Sequence, residues 1–270
     1  MEMRKEMEKE YVMITGASGH LGGAFALEQA LAGENVILTG RSEEKLLQKK
    51  QELLAKGATG EIRCYACDLS KDNSRCEMMD KIRADGLILK RLINVAGADI
   101  QKAFEQYTQE KILFQCRVNF EAAVSLCRFA IERKGENLEI VNISSVSGIY
   151  PMPYFAIYSA AKGALTSFSL SLREEMKKKG EKVTAVLPGA MPTRDDIKEQ
   201  IKGQGLWGKL AAKSPEFVVK KSLKAVRKNK GKYIPGFWNR VMNVGTKLIP
   251  LKLKLKFIAK RWSKISKDAF

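Results

Sequence analysis

The chain has 270 residues, 45% hydrophobic and 29% charged, which is the composition of an ordinary soluble globular protein with length for one α/β domain and a large core. Its net charge of +18 is unevenly placed: from Ile201 to Phe270, 19 Lys and Arg stand against only Glu216 and Asp268, whereas the first 200 residues are nearly neutral. The charged Met1–Glu10 lacks an apolar signal region, and no uncharged apolar run approaches the ~18–20 residues of a membrane span. The expectation is a cytoplasmic protein whose electrostatic partners, if any, meet the tail.

In chain order, Tyr11–Thr15 is a short apolar run followed by a glycine-rich turn and a helical stretch to about Ala32. Asn35–Thr39 reads as a second strand. Ser42 then reads as an N-cap, with a charged helix from Lys45 to Lys56. Further strands are expected at Ile62–Cys67, Lys90–Val95, Leu138–Ile143, Lys182–Leu187 and Lys232–Pro235, with helical patterns between them. Short apolar runs without strict alternation suit strands buried on both faces. The pattern predicts one Rossmann-like, doubly wound parallel sheet of about seven strands with helices on both faces. It would occupy residues 1–235, with a substrate lid at about 190–214 and a helix over Pro215–Lys230. Residues 236–270 read as a basic amphipathic extension.

Cys64 and Cys67 form a CxxC, a spacing that can serve zinc or redox chemistry. On a strand, residues three apart lie about 10 Å apart on opposite faces, too far for a disulfide. No second pair stands at ligand spacing, so no metal is expected.

Thr15-Gly16-Ala17-Ser18-Gly19-His20-Leu21-Gly22 joins the first strand to the first helix. Glycines there let the backbone approach a pyrophosphate, and the helix start supplies N–H groups and a positive dipole end. The second strand ends in Gly40-Arg41. An acid near this point would hold ribose hydroxyls and repel a 2′-phosphate, whereas Arg41 can pair with one, which argues for NADP(H). Asp68, with Leu69 beside it, is placed to meet the adenine edge, and Asn94-Val95-Ala96-Gly97 closes the fourth strand beside the same crevice.

Tyr158 and Lys162 stand one helical turn apart on one face. A phenol near pKa ~10 is a poor proton-transfer catalyst at neutral pH, and a neighbouring ammonium lowers that value. Ser145, thirteen residues earlier, falls at a strand end where ligands bind in such sheets, and can hydrogen-bond the same carbonyl oxygen.

Together these features resemble the short-chain dehydrogenase/reductase family over about Tyr11–Thr193: TGxxGxxG at Thr15–Gly22, NxAG at Asn94–Gly97, Asn119 in a helix, Ser145 at a strand end, YxxxK at Tyr158–Lys162 and PGxxxT at Pro188–Thr193. The resemblance implies Tyr158 as general acid or base and Lys162 as its pKa modifier and ribose ligand. It further implies Ser145 orienting substrate, Asn119 supporting a water-linked proton relay, and Pro188, Gly189 and Thr193 holding the nicotinamide end. It also implies a homo-oligomer. His20 stands where the short branch of the family usually has Gly, giving the glycine spacing of the longer, epimerase-like branch; Val95 replaces a usual Asn.

The apolar Gly148–Phe155 should form one wall of the site, and Met191, Leu206 and Trp207 could form a mobile lid. Both favour a lipophilic substrate such as a steroid, bile acid, fatty-acyl or aromatic ketone. In the tail, Leu251, Leu255, Ile258, Trp262 and Ile265 make one helical stripe, and Phe237, Val241, Val244 and Leu248 another before Pro250. Alternating Leu and Lys over Leu251–Lys256 also reads as a strand. Peripheral contact with an anionic membrane and packing on the body or a partner subunit remain open for this tail. Nothing resembles a nucleic-acid module. The expected activity is NADP(H)-dependent interconversion of a carbonyl and an alcohol. An epimerase- or dehydratase-like reaction with retained cofactor, and a non-catalytic NADP(H) sensor, are the alternatives.

Overall fold

The computed structural model describes residues 9–193 and 210–263. Seven strands form one parallel sheet in the order β3-β2-β1-β4-β5-β6-β7. They are β1 (Glu10–Thr15), β2 (Asn35–Gly40), β3 (Ile62–Ala66), β4 (Ile88–Asn94), β5 (Lys134–Ile143), β6 (Lys182–Val186) and β7 (Lys232–Tyr233). The strand order reverses direction between β1 and β4. In an open parallel sheet, that reversal leaves a crevice outside the carboxyl ends of the two strands, where ligands bind.

Strand alternation feeds two cores. Met13, Leu92 and Ile140 point to one side, where they meet α3 (Asp72–Ala84) through Met78 and Ile82, α5 (Ala122–Glu132) through Leu126 and Phe129, and α6 (Ala156–Lys177) through Leu172. Val12, Ile14, Ile93 and Val141 point to the other. There they meet Phe25 of α1 (His20–Leu31), Leu46 and Leu53 of α2 (Glu43–Ala55), and Val218 and Leu223 of α7 (Pro215–Arg227). Burial of both faces is why these strands read as unbroken apolar runs. Ser42 caps α2 by accepting from the Lys45 N–H at 3.2 Å.

β5 starts four residues earlier than its apolar run, at Lys134, because a register shift against β4 and a positive φ at Asn137 bring the polar Lys134–Asn137 segment into the sheet. α4 (Gln109–Cys116) joins α5 through a five-residue π-turn, Arg117–Glu121. β7 is two residues long, shorter than its sequence pattern. The Cys64 and Cys67 thiols turn to different carbonyls, those of Leu46 and Ser74, and burial pushes both up in pKa.

The tail folds as α8 (Phe237–Gly245), a 3-10 turn at Thr246–Leu248, and α9 (Leu251–Trp262) begun by Pro250. The Leu–Lys alternation is therefore helical, not extended. Of the first expected tail stripe, Ile258 is buried and Leu255 and Trp262 are half-buried, but Leu251 is exposed; Ile265 lies outside the described residues. Leu206 and Trp207 of the expected lid also lie outside them.

Candidate active site

The turn after β1 closes tightly: Gly16 has φ +64, and a Cβ there would stand 3.2 Å from the Ala96 Cα beyond β4. This close approach brings the ends of β1 and β4 together, and Thr15 Oγ1 completes it by accepting from the Val95 and Ala96 N–H groups at 2.8 and 3.0 Å. A Cβ on Gly22 would collide with the Gly16 carbonyl, so the start of α1 lies directly on the loop. α1 begins after Gly19 with no side-chain cap and no acid in its first turn. Its leading N–H groups and dipole end therefore face outward beside exposed Ser18, Gly19 and His20, an arrangement that suits a pyrophosphate. Leu21, by contrast, is buried against the core.

Ser18 Oγ lies against Gly40, and exposed Arg41 follows at once, so a hydroxyl and a guanidinium flank the end of β2. That donor set fits a further phosphate on a ribose. Beyond β3, burial alone would raise the Asp68 carboxyl. Hydrogen bonds from Ser70 (N–H 3.0 Å, hydroxyl 2.7 Å) and the charges of Lys71 and Arg41 instead hold it below its usual value. Leu69 is buried, and its carbonyl accepts from Arg75 at 2.7 Å.

Asn94 turns inward. Its amide donates to Asn142 Oδ1 at 2.8 Å, and Asn142 in turn donates to Ser169 of α6 at 2.9 Å. The side chain thus ties β4, β5 and α6 together, while Ala96 and Gly97 line the crevice edge. The π-turn rotates Asn119 toward this edge. Its amide donates to the Ala98 and Gln115 carbonyls at 2.8 and 2.9 Å, and its oxygen accepts from Ala98 N–H at 3.2 Å. A Cβ at Gly97 would stand 2.8 Å from Asn119 Oδ1 and 3.1 Å from Lys162 Nζ. Both side chains therefore converge on the space that this glycine leaves open.

Lys162 is buried and donates to the Ile143 carbonyl at 2.9 Å. Its Nζ lies 5.8 Å from the Tyr158 ring centre. Burial lowers its pKa to about 8, against the opposing pull of Asp99. Tyr158 is pushed up, by burial first and Asp99 second, while a hydrogen bond with Ser145 pulls it down. The expectation that a neighbouring ammonium lowers Tyr158 is corrected here: burial dominates both groups and drives each toward its neutral form. Asp99, two residues past the NxAG stretch, acts on both and was not singled out from sequence; its place just beyond that motif was the available signal. Ser145 starts a short 3-10 turn and accepts from Ser147 N–H at 3.1 Å, and the Phe155 ring stacks on Tyr158 at 4.5 Å.

Pro188 accepts from Val146 N–H at 3.0 Å, which joins the loop after β6 to the turn that carries Ser145. A Cβ on Gly189 would stand 2.8 Å from the Asn239 amide of α8. Asn239, also not singled out from sequence, is buried and donates to the Ala211 and Pro235 carbonyls, each at 3.0 Å. The Thr193 N–H donates to Met191 at 2.7 Å. Gly148–Pro153, Ala156, Ser159, Ala160 and Leu255 of α9 line a cleft of about 410 Å³, whose lining includes none of Ser145, Tyr158 and Lys162. Gly148–Pro153 of the expected apolar wall line this cleft, and Leu255 of the tail is its far side.

A family model described as short chain dehydrogenase matches residues 10–202. A very-long-chain 3-oxoacyl-CoA reductase of Bos taurus is 32% identical over 230 residues, covering 80% of this chain and 68% of that protein. A 3-ketodihydrosphingosine reductase of Bacteroides thetaiotaomicron is 31% identical, covering 69% of this chain and 66% of that protein, so the match spans about two thirds of each relative. A short-chain dehydrogenase from Sphingobium yanoikuyae, solved in complex with NADPH, superposes with a TM-score of 0.74 at 26% identity, covering 88% of this chain and 94% of that one.

Proposed function

This chain belongs to the short-chain dehydrogenase family, and we propose that it is an NADP(H)-dependent oxidoreductase that interconverts a lipophilic ketone and its secondary alcohol. The observation that carries the reading is the Ser145–Tyr158 hydroxyl pair at the mouth of the β5–α6 junction, with Lys162 buried behind it. Bound NADPH would supply the hydride. Arg41 and Ser18 would hold its 2′-phosphate, the start of α1 its pyrophosphate, Asp68 and Leu69 its adenine end, Asn94, Ala96 and Gly97 the crevice edge, and Pro188, Gly189 and Thr193 its nicotinamide end.

The chain's own part is the proton. Tyr158, kept neutral by burial, donates its O–H proton to the carbonyl oxygen while Ser145 donates a hydrogen bond to the same oxygen. Lys162 and Asn119, converging at Gly97, return a proton toward Tyr158 from solvent. In the reverse direction Tyr158 must accept the proton, so alcohol oxidation should rise toward alkaline pH while reduction stays flat near neutrality.

The apolar stretch Gly148–Pro153, between Ser145 and Tyr158 in the chain, supports a lipophilic substrate, and both relatives above are named for reductions of lipid ketones. A homo-oligomer, with residues 1–235 as the catalytic domain, belongs to the same reading. So does work at a membrane surface: no helix among the described residues is long and apolar enough to cross a membrane, and the basic tail would give peripheral contact.

NADPH consumption against a panel of lipophilic ketones, in parent and Tyr158→Phe, tests this. Turnover that Tyr158→Phe abolishes is expected. Tight NADPH binding without turnover would instead favour a sensor or an epimerase with retained cofactor.

A further inference from the structure

A surface helix normally turns its apolar stripe to the core and its polar side to water. α8 does the reverse. Its inward side carries buried Asn239 and half-buried Asn243, and its outward side carries Phe237, Val241 and Val244, continued by Leu248 in the turn that follows. These are 62%, 42%, 61% and 85% exposed. α9 follows after Pro250 with an outward apolar stripe of its own. Leu255 and Ile258 face the body, and Lys254 packs over the Tyr150 ring at 5.9 Å, while Leu253 and Phe257 point away at 58% and 66% exposure. Isolated exposed apolar residues are ordinary, but a run of six along two consecutive helices marks an interaction site.

Charge says what covers it. Between Gly236 and Ser263 stand Arg240, Lys247, Lys252, Lys254, Lys256, Lys260 and Arg261, and no acid. A second copy offering this face to itself would set cations against cations. An anionic bilayer offers both complements, a phosphate plane for the ammonium groups and an acyl boundary for the side chains between them.

We propose that α8 and α9 form an in-plane anchor on anionic membranes. Phe237, Val241, Val244, Leu248, Leu253 and Phe257 enter the headgroup–acyl boundary, and the surrounding Lys and Arg lie among the lipid phosphates. Leu255, on the opposite side of α9 from Leu253 and Phe257, faces the Gly148–Pro153 stretch across a shared cleft. Docking through the outer side thus holds the Gly148–Pro153 stretch within one helix diameter of the lipid, about 10 Å. The inference deepens the membrane-surface part of the proposed function and does not depend on the reaction.

The test is sedimentation of the full chain with vesicles of phosphatidylcholine alone and of phosphatidylcholine with phosphatidylglycerol. Binding is expected only to the anionic vesicles and should weaken with salt. Val244→Asp/Phe257→Asp and, separately, Lys252→Gln/Lys256→Gln should each weaken it at least about tenfold. Because all four side chains point outward, both variants should fold with a melting temperature no lower than the parent's and keep its vesicle-free turnover of a water-soluble ketone. Equal binding of parent and variants, or no parental binding to anionic vesicles, overturns the anchor. Self-association of the parent that Val244→Asp/Phe257→Asp abolishes, without vesicle binding, overturns it in favour of a contact between copies. If vesicle binding follows the expected pattern but no ketone is turned over, the anchor stands and only the reductase reading falls.

Discussion

Lys162 is a cation that the fold would rather hold neutral. Its pKa falls from 10.5 to about 8 because burial strips its hydration faster than Asp99 compensates. Below about pH 8 it is protonated in both folded and unfolded chains, and the full cost of burying the charge is present. Between about 8 and 10.5 the unfolded chain binds a proton there that the folded protein does not, so stability contributed at this site rises with pH. Lys162→Met should therefore gain relative to the parent at pH 7 by up to about 3 kcal/mol, less about 1 for the lost hydrogen bond to Ile143, and the gain should shrink through that window. The difference between the two denaturation curves is the readable quantity, because thiols pushed up by burial, Cys127 above all, pull the absolute curve down over the same range. A gap that stays constant from pH 7 to 10 would show that Lys162 is not a depressed ammonium. Gly97→Ala probes the neighbouring geometry. Its methyl would press on Asn119 Oδ1 and Lys162 Nζ, and kcat should fall on the order of a hundredfold with little change in melting temperature. Steady-state kinetics beside a melt would check this, and unchanged kcat would mean that the two side chains need not converge there.

Among the elements, those whose signal is local were legible in the sequence. β1, its glycine turn and α1 announce themselves because a buried strand, a positive φ at Gly16 and a helix start each impose their own residue types. Tyr158 and Lys162 share a helix face by spacing alone. What was not legible depends on partners distant in the chain. The polar start of β5 joins the sheet through its bulge against β4, and the outward stripe of α8 reverses the usual inference from amphipathicity. Asn239 reads as an ordinary helix residue until α8 is seen lying on the loop after β6. There its amide holds the Ala211 and Pro235 carbonyls, and the missing Cβ of Gly189 makes room for it. α8 is thus a brace for the loop assigned to the nicotinamide end. Asn239→Ala should cost about 1–3 kcal/mol by leaving the buried Pro235 carbonyl and the half-buried Ala211 carbonyl without their donor. It should also raise KM for NADPH several-fold with a smaller change in kcat. Urea titration and a KM-against-kcat comparison separate the two effects, and a stability loss with unaltered KM would reduce Asn239 to a structural role.

At the scale of the whole molecule, the two ends of the chain have different electrostatics. Ion pairs such as Lys9–Glu61, Arg83–Glu132 and Lys182–Glu139 all join residues before 183, where acids and bases are balanced. Beyond residue 200 the chain carries 19 Lys and Arg against two acids, and its helices stack like charges one turn apart, Lys220 with Lys224 in α7 and Lys252, Lys256 and Lys260 along α9. Each such pair opposes its helix by about 0.2–0.5 kcal/mol, whereas an exposed ion pair contributes about 0–1 kcal/mol in the other direction. Salt screens both, from a reach of about 30 Å at 0.01 M to about 3 Å at 1 M. Many unpaired cations repel one another over the longer distance, while the ion pairs act at contact, so screening should remove more repulsion than attraction. The melting temperature should rise by a few degrees between about 0.01 and 0.5 M sodium chloride, at about 2–4 °C per kcal/mol for a chain of this size. Lys252→Gln/Lys256→Gln/Lys260→Gln should melt higher than the parent at low salt and respond less to added salt. A melting temperature that falls with salt in the parent would place the balance with the ion pairs of the first 182 residues. The high charge of the tail would then be no burden on the free protein, and its repulsion could not be what an anionic surface relieves.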